Sequence, residues 1–315
     1  MIKILLTTTS FQDTPGKHHK ILSDTRFKVE TLRGPVKENV LLPLIQKYDG
    51  IICGDDEITE EVLKKGREGN LRMISKYGVG LDKINLKAAK ECGIHITNTP
   101  GINQISVAEH TIALLLCYFK NIHIEYNITK KGKWKRLIGH ELYGKNMGIL
   151  GLGKIGREVA IRAKSLGLNL YSWDINFDNE FVNRYNIRTF KKIENIFNYC
   201  YILSLHLPLN SKTKGIISKD IIQNHIKKGT VIINTARGKL IDLNALIWGL
   251  KSKIIKAYLC DVLDKEPIER NHPLLTHKNV IITPHIASRT YESVERQGIM
   301  AVQNLSNFFK DKNVK

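Results

Sequence analysis

Short apolar runs alternate with longer amphipathic stretches along most of the chain, a pattern typical of α/β proteins. Helical spacing of apolar residues occurs, for example, at Val36–Lys47 and Thr59–Lys65. Before residue 100 the apolar runs predict four strands: Ile2–Leu6, Gly50–Cys53, Arg72–Lys76 and Ile94–Thr97. Together these elements predict one small α/β unit.

A second series of strands begins after residue 146. It comprises six apolar runs: Met147–Leu150, Leu168–Ser172, Cys200–Leu205, Thr230–Asn234, Ile255–Leu259 and Val280–Thr283. Helical patterns lie between these runs. Six strands with intervening helices predict a doubly wound parallel sheet.

Two further helical patterns connect these series. The stretch Ser106–Phe119 has more apolar residues than one amphipathic face requires, so we expect a linker helix buried between domains or subunits. The last helix is predicted at Tyr291–Phe309, after the sixth strand of the second series. From that position the chain can return to the first unit.

A glycine-rich turn follows the first strand of the second series. It reads Gly151-x-Gly153-x-x-Gly156 and leads into a helical pattern. Gly151 allows a sharp turn, Gly153 lets a pyrophosphate approach the backbone, and Gly156 lets the helix pack close to the strand. Free N–H groups at the helix start then face the phosphates. The pattern predicts the phosphate-binding turn of a dinucleotide fold.

An acidic residue ends the next strand of this series. Asp174 lies 18 residues after Gly156, close to the spacing of about 20 expected for a carboxylate on the adenosine ribose. Ile175 and Asn176 follow it, and neither is a phosphate-binding Arg. A carboxylate repels a 2′-phosphate, so the sequence predicts NAD rather than NADP as the cofactor.

Bulk composition is ordinary for a soluble globular protein. The chain has 315 residues, 42% of them hydrophobic and 25% charged, which predicts about two domains. The N-terminal apolar run is too short for a signal peptide, and the apolar run Thr111–Phe119 is too short to span a bilayer. We therefore expect a soluble, cytoplasmic protein that does not associate with membranes.

The cysteines and histidines do not predict a metal site. Five cysteines are scattered without a CxxC pair, and no His/Cys cluster has metal-ligand spacing. Reduced, packed thiols are the expected state of these cysteines.

The net charge of +19 allows two interpretations. Clustered Lys and Arg would indicate nucleic-acid binding, which a steep salt dependence would reveal. The charge is instead spread along the chain, which favours a lysine-rich surface that attracts anionic substrates. We therefore expect no nucleic-acid partner.

Residues suited to one reaction follow three strands of the second series. Arg237 follows the fourth strand, Glu266 lies in the loop after the fifth, and His285 follows the sixth. Ligands bind at the carboxyl ends of such strands, so these side chains can meet over the nicotinamide. An Arg suits a substrate carboxylate, and a His exchanges a proton near neutral pH. A Glu would fix the imidazole tautomer and favour its protonated form. Taken alone, the Arg, the Glu or the His could have an ordinary structural role. Their shared placement after strands of one dinucleotide-binding sheet supports the prediction of a catalytic site.

The chain closely resembles the D-isomer-specific 2-hydroxyacid dehydrogenase family, particularly its phosphoglycerate dehydrogenase-like members. The resemblance covers almost the whole chain. Its motifs are KYGVGLDKIN (76–85), ITNTPGINQISVAEH (96–110), GILGLGKIGREVA (148–160), HLPLN (206–210), INTARGKLID (233–242), DVLDKEP (261–267) and TPHIAS (283–288).

The resemblance implies a site. Arg237, Glu266 and His285 would form the catalytic set. Cofactor contacts are implied for Asp261 near the nicotinamide amide, the backbone of Lys154 and Ile155 at the phosphates, Thr235 and Ala236 beside the nicotinamide, and His206 and Pro208 as flanking residues. Backbone N–H groups of a loop are implied to bind the substrate carboxylate; the loop comprises Lys76, Tyr77, Gly78, Val79 and Gly80.

The resemblance also implies an organisation. Residues 1–100 and 288–315 would form the substrate-binding domain, and residues 101–287 an inserted NAD-binding Rossmann domain, with a cleft that closes on the substrate. A homodimer through the cofactor domain is expected, and Trp134 would either reach the partner's active site or pack locally. Longer phosphoglycerate dehydrogenases carry a regulatory domain after the last helix. This chain ends just after that helix, so we expect no feedback inhibition through such a domain.

The substrate stays open at this level. A 3-phosphoglycerate substrate would require extra cationic groups in the pocket. Lys76 and Arg289 are candidates, although either could instead be a solvated side chain. Tyr77 in the substrate loop could narrow the pocket. Glycerate or hydroxypyruvate, glyoxylate and other small 2-keto acids are alternatives. A different class, an NAD(H)-sensing corepressor-like binding protein, shares the fold and predicts NADH binding without turnover. The physiological direction and pathway are also open.

Overall fold

The computed structural model describes residues 1–311 and divides into two compact units. Unit 1 combines Met1–Asn103 with the segment from Ser288 onward, and unit 2 is Gln104–Ala287. The sequence predicts the divisions after residues 100 and 287, and its domain roles stay predictions. Residues 312–315 of the predicted first domain lie outside the described residues.

Unit 1 is built on a parallel five-stranded sheet with the order β2-β1-β3-β4-β5. Its strands are β1 (Lys3–Leu6), β2 (Lys28–Thr31), β3 (Gly50–Cys53), β4 (Met73–Lys76) and β5 (His95–Thr97). The helices of its first segment are α1 (Thr9–Asp13), α2 (Lys17–Ser23), α3 (Glu38–Leu41), α4 (Glu60–Glu68) and α5 (Leu86–Glu91). Successive residues of β3 face opposite sides, so Ile51 and Ile52 belong to different apolar clusters.

Two features of unit 1 differ from the sequence prediction. The single helix predicted at Val36–Lys47 is wrong, because α3 ends at Leu41 and only a 3₁₀ turn, Ile45–Lys47, follows. Pro43 lies between them and cannot donate the N–H that a continuous helix needs. Strand β2 was not predicted, since it lies at the sheet edge and has largely exposed side chains.

Unit 2 is built on a parallel seven-stranded sheet with the order β12-β11-β10-β9-β6-β7-β8. Its strands are β6 (Asn146–Leu150), β7 (Asn169–Trp173), β8 (Arg188–Thr189), β9 (Ile202–Leu205), β10 (Thr230–Asn234), β11 (Ile255–Cys260) and β12 (Val280–Ile282). The order runs outward from β6 to β8 and then reverses at β9. This doubly wound order creates a crevice beyond the carboxyl ends of β6 and β9.

The doubly wound sheet predicted for unit 2 is confirmed, with one strand more than expected. The additional strand β8 has two exposed residues, so no apolar run marks it. Both faces of the sheet are covered by apolar side chains. In β10, Val231 and Ile233 join one buried cluster, while Ile232 joins the other.

The helices of unit 2 cover these two faces. They are α6 (Gln104–Phe119), α7 (Ile122–Lys130), α8 (Lys154–Ser165), α9 (Asn179–Arg184), α10 (Ile193–Tyr199), α11 (Lys219–Asn224) and α12 (Leu243–Lys251). Short 3₁₀ turns occur at Gly238–Leu240 and Pro273–Thr276. Helix α6 packs against α8, and Ile112 and Leu115 lie in the core of unit 2. The expectation of a linker helix is therefore corrected, because the apolar excess of α6 is buried within this unit's own core.

The final helix, α13 (Tyr291–Asp311), belongs to unit 1. It packs against α2 and β4 and buries Ala301, Val302 and Leu305. The hydroxyl of Ser75 on β4 donates to the carbonyl of Ala301 at 2.9 Å. Within residues 1–311, no helix has both the length and the apolar character required to cross a lipid bilayer.

The glycine-rich turn between β6 and α8 shows why two of its positions require glycine. Gly151 has φ of +96°, a region that side chains other than glycine rarely adopt. A Cβ at Gly156 would lie 2.0 Å from the carbonyl oxygen of Gly151. At Gly153, in contrast, φ is −71° and a Cβ would meet nothing within 4 Å.

We predict that Gly156→Ala lowers the free energy of unfolding by about 1–3 kcal/mol, because backbone must shift to accommodate the added methyl group. Gly153→Ala is the matched control and should leave the free energy of unfolding nearly unchanged. Urea denaturation of the two variants measures the difference. Equal midpoints would contradict the close approach of α8 to the turn.

Candidate active site

The carboxyl edge of the unit 2 sheet brings together most of the predicted site residues. Arg237 follows β10, Asp261 and Glu266 follow β11, and His285 follows β12. These three strands are neighbours in the sheet. Strands that are distant in sequence therefore deliver their following loops to one place.

The predicted partnership between Glu266 and His285 is present in this loop cluster. Oε2 of Glu266 lies 2.7 Å from Nδ1 of His285. Its other oxygen, Oε1, accepts a hydrogen bond from the backbone N–H of Leu263 at 2.8 Å. Both side chains are about one-third exposed, so the pair is accessible to solvent. The carboxylate is thus oriented by its own loop and in turn orients the imidazole.

The backbone of His285 is held in an unusual conformation. Its φ is +55°, in the left-handed region that a residue with a side chain rarely occupies. Its N–H donates to the backbone carbonyl of Asp261 at 2.9 Å. Such strain persists only where surrounding contacts determine the conformation, and it is concentrated at functional sites.

The carboxylate of Asp261 provides those surrounding contacts. It is 1% exposed and accepts hydrogen bonds from Thr283 Oγ1 at 2.6 Å, Ile286 N–H at 2.9 Å and Ala287 N–H at 2.7 Å. The carboxylate therefore holds the segment on both sides of His285. The family resemblance implies that Asp261 lies near the nicotinamide amide, which stays a prediction; the structure shows its positioning contacts.

Sequence reasoning missed His110 at the same place. Its Nε2 lies 2.9 Å from Thr283 Oγ1 and 3.5 Å from Asp261 Oδ1. Because the Thr283 hydroxyl donates its proton to Asp261, it accepts from His110, so the proton of His110 is assigned to Nε2. Burial lowers the pKa of His110. The sequence signal that could have identified His110 is its position as the last residue of the ITNTPGINQISVAEH motif.

The turn that carries Arg237 is organised by a buried amide. The side chain of Asn234 donates to the Arg237 carbonyl at 2.9 Å and accepts from the N–H of Ala236 at 3.1 Å. The guanidinium of Arg237 donates to the Ala236 carbonyl at 2.8 Å. Thr235 is buried, with its hydroxyl 2.9 Å from that of Thr111. Asn234 is a second positioning residue that sequence reasoning missed.

The other end of the crevice has the features required for a pyrophosphate and a ribose. Helix α8 begins at Lys154, so the N–H groups of Lys154 and Ile155 lie in its first turn. Asp174 follows β7 and accepts from the N–H of Leu152 at 2.6 Å. The open space at Gly153 leaves room for a ligand beside the helix N-terminus. These features fit a dinucleotide.

His206 and Pro208 follow β9, next to the glycine-rich turn. Nε2 of His206 lies 2.8 Å from the Ser204 hydroxyl. Burial lowers the pKa of His206 to about 3, so its imidazole is neutral at physiological pH. Pro208 is exposed, and its carbonyl accepts from Thr213 at 2.5 Å. The position beside Gly151 agrees with a flanking role for both residues.

The predicted substrate loop lies in unit 1, directly after β4. Two of its N–H groups already have partners: that of Tyr77 donates to the Cys53 carbonyl and that of Gly78 to the Thr99 hydroxyl. In the described part of the chain, the N–H groups of Val79 and Gly80 have no hydrogen-bond acceptor. Only these last two positions of the loop therefore offer N–H groups to a ligand.

The side chains of Lys76 and Tyr77 do not have the exposed positions considered for them. The Lys76 ammonium is buried and contacts the Gly54 carbonyl at 2.5 Å and the Asp55 carboxylate at 2.9 Å. Tyr77 is buried in the unit 1 core, where burial raises its pKa to about 12. Tyr77 therefore packs in the core. Arg289 is exposed and donates to the Thr9 hydroxyl at 3.2 Å.

The doubly wound sheet, its glycine-rich turn and the terminal acid of β7 define a dinucleotide-binding α/β domain. A family model described as "D-isomer specific 2-hydroxyacid dehydrogenase, NAD binding domain" matches residues 112–287. The chain belongs to this family, and NAD is the cofactor that unit 2 binds.

Similar proteins have been described in archaea and eukaryotes. The chain is 35% identical to a D-3-phosphoglycerate dehydrogenase of Methanocaldococcus jannaschii over 98% of this chain and 58% of that protein. It is 34% identical to a glyoxylate reductase of Thermofilum pendens over 86% of this chain and 81% of that protein. An NAD⁺-bound 3-phosphoglycerate dehydrogenase of Entamoeba histolytica superposes with a TM-score of 0.81, at 29% identity, over 100% of this chain and 97% of that one. The chain thus spans little more than half of its phosphoglycerate dehydrogenase relative from Methanocaldococcus.

We predict that acid weakens the folded state through His206. The unfolded imidazole takes up a proton near pH 6.5, whereas the folded one does so only near pH 3. Stability from this group is therefore complete above pH 6.5 and decreases as the pH falls toward 3. Urea midpoints at about pH 7 and about pH 5 should decrease less in His206→Asn than in the unmodified protein.

His225→Asn serves as the control for this measurement, since His225 immediately follows α11, away from the crevice. It should retain the full decrease between the two pH values. An identical decrease in His206→Asn would show that the neutral imidazole of His206 does not contribute.

Proposed function

We propose that the protein is an NAD-dependent oxidoreductase that transfers a hydride between C2 of a small D-2-hydroxy or 2-keto acid and nicotinamide. The observation that supports this most directly is the 2.7 Å contact between Glu266 and His285 at the carboxyl edge of the NAD-binding sheet. It supplies an oriented acid–base group where this fold binds ligands.

In this proposal each residue has one task. Bound NAD accepts or supplies the hydride. His285 takes the hydroxyl proton during oxidation and returns it to the carbonyl oxygen during reduction. Glu266 holds Nδ1, so the proton is exchanged at Nε2, and its negative charge favours the imidazolium. Arg237 binds the substrate carboxylate through its planar guanidinium. Val79 and Gly80 of the predicted substrate loop are proposed to donate their N–H groups to the substrate.

Within the acids left open, we propose a small unphosphorylated 2-keto acid such as glyoxylate or hydroxypyruvate. Recognition of a phosphate requires cations that are not already neutralised. Lys76, one of the two candidates, has its ammonium against Asp55. The similarity to the Thermofilum glyoxylate reductase over most of both chains supports this choice. The similarity to phosphoglycerate dehydrogenases keeps 3-phosphoglycerate as the second candidate.

We also propose a homodimer and a cytoplasmic location. Helix α7 buries none of its residues, and exposed apolar side chains occur on it and in the following segment: Ile122, Tyr126, Trp134, Ile138 and Tyr143. Apolar side chains concentrated in this way are typical of a protein interface. The five cysteines are free thiols, which agrees with a reducing compartment.

We expect His285→Ala to reduce turnover of NADH with a 2-keto acid by about 10²–10⁴-fold, because the proton donor is lost. NADH affinity, measured by fluorescence titration, should stay nearly unchanged. His225→Ala is the control and should retain full turnover. A panel that includes glyoxylate, hydroxypyruvate and 3-phosphohydroxypyruvate identifies the substrate in the same assay.

Glu266→Gln separates positioning from charge in this pair. The amide can still contact Nδ1, but it lacks the negative charge that favours imidazolium. As the pH rises, the rate of reduction should therefore fall to half of its maximum at a lower pH than in the unmodified enzyme. NADH binding without turnover of any acid in the unmodified protein would contradict the enzyme proposal and favour an NAD(H) sensor.

Cofactor selectivity provides an independent prediction. Asp174→Ala should raise kcat/KM for NADPH relative to NADH, because the carboxylate no longer repels a 2′-phosphate. The exposed residue Glu180 on α9 offers a control, and Glu180→Ala should keep the original ratio. An unchanged ratio in Asp174→Ala would mean that another group sets the preference.

A further inference from the structure

Unit 2 has a second concave site, at the edge of its sheet opposite the candidate active site. The cavity has a volume of about 300 Å³. Asn146 begins β6, Val231 and Lys256 are the second residues of β10 and β11, and Tyr201 immediately precedes β9. These residues mark the amino-terminal edge of the parallel sheet. The cavity is therefore separate from the loops that carry Arg237 and His285.

Cationic side chains surround this cavity without acidic partners. Lys145, Lys227 and Lys256 all line it, and no lining residue is acidic. Nζ of Lys256 lies 3.5 Å from Nε2 of His140, so its near neighbour is an imidazole. Within residues 1–311, none of the three lysines forms an ion pair with a carboxylate. A bound anion would supply the missing negative charge.

Aromatic rings form much of the remaining wall. Tyr118 and Phe119 come from the end of α6, Tyr199 ends α10, and Tyr201 immediately precedes β9. Tyr201 is 36% exposed, so part of its ring is accessible to a ligand. Tyr199 is 46% exposed, and its ring also contacts Phe190 and Arg188. Burial raises the pKa of Tyr118, which keeps its phenol protonated and able to donate a hydrogen bond.

We propose that this cavity binds a phosphorylated aromatic molecule of the nucleoside monophosphate class. Three lysines provide charge-assisted hydrogen bonds for the phosphate, and the tyrosine rings provide stacking surface for a base. The volume is at the lower end of the range for small-molecule sites, which suits a mononucleotide better than a dinucleotide.

The positive charge of the whole chain does not by itself account for this arrangement. A net charge of +19 means that many lysines lie on the surface in water. Such a charge does not require lysines to line a cavity together with aromatic residues. Here three lysines and four aromatic residues line one cavity. Lysines that line one cavity without acidic residues leave positive charge there that a bound anion can neutralise.

Isothermal titration calorimetry with AMP tests the proposal on the full chain saturated with NADH. Saturation blocks the dinucleotide site, which would otherwise bind the adenylate group. The test variant combines Lys145→Gln, Lys227→Gln and Lys256→Gln. The control variant removes the same charge at exposed lysines outside the cavity, through Lys191→Gln, Lys214→Gln and Lys228→Gln. Thermal unfolding of both variants verifies that they fold.

We expect AMP to bind the NADH-saturated protein at one site, and the test variant to lose at least about tenfold in affinity while the control retains it. Adenosine and inorganic phosphate should each bind more weakly than AMP. Absence of AMP binding, or equal loss in the two variants, would overturn the proposal. Equal affinity for adenosine would overturn the phosphate contact, and equal affinity for inorganic phosphate would overturn the aromatic one. None of these outcomes depends on turnover at His285.

Discussion

The buried carboxylate of Asp261 is the constraint on which the arrangement of the candidate active site depends. A charge with almost no exposure is costly unless hydrogen bonds satisfy it. Asp261 meets this requirement by accepting from Thr283, Ile286 and Ala287, which lie on both sides of His285. These hydrogen bonds offset the cost of burying the carboxylate, and they form only when the segment 283–287 adopts the conformation seen here. That conformation includes the strained backbone of His285 and the contact of its ring with Glu266.

The same principle explains where polar groups are buried in unit 2. The middle of the sheet is filled by apolar residues such as Ile202, Ile233 and Leu259, which have no hydrogen-bonding needs of their own. At the carboxyl ends of β10 and β11, the buried polar side chains of Asn234 and Asp261 organise the following turns. A rigid apolar sheet therefore supports a polar edge with precisely positioned loops, and the catalytic candidates emerge from these loops.

Much of this organisation could be predicted from the sequence because its signals are local. Apolar runs identify buried strands, and the glycine spacing of the turn after β6 reflects contacts within a few residues. Edge strands β2 and β8 were not predicted, because their residues are largely exposed and form no apolar run. The contact of His110 with Thr283 was not predicted either. His110 and Thr283 are 173 residues apart, and no spacing rule brings them together.

The two edges of the unit 2 sheet differ in how their charges are balanced. At the carboxyl edge, the acidic residues Asp261 and Glu266 each have a histidine neighbour, so each carboxylate has an imidazole partner within the protein. At the amino edge, Lys145 and Lys256 lie beside a cavity without acidic residues. Both edges nevertheless lie in the positive field of a chain with a net charge of +19, which raises the local concentration of anions. A protein whose cofactor and proposed substrates are all anions gains from that field.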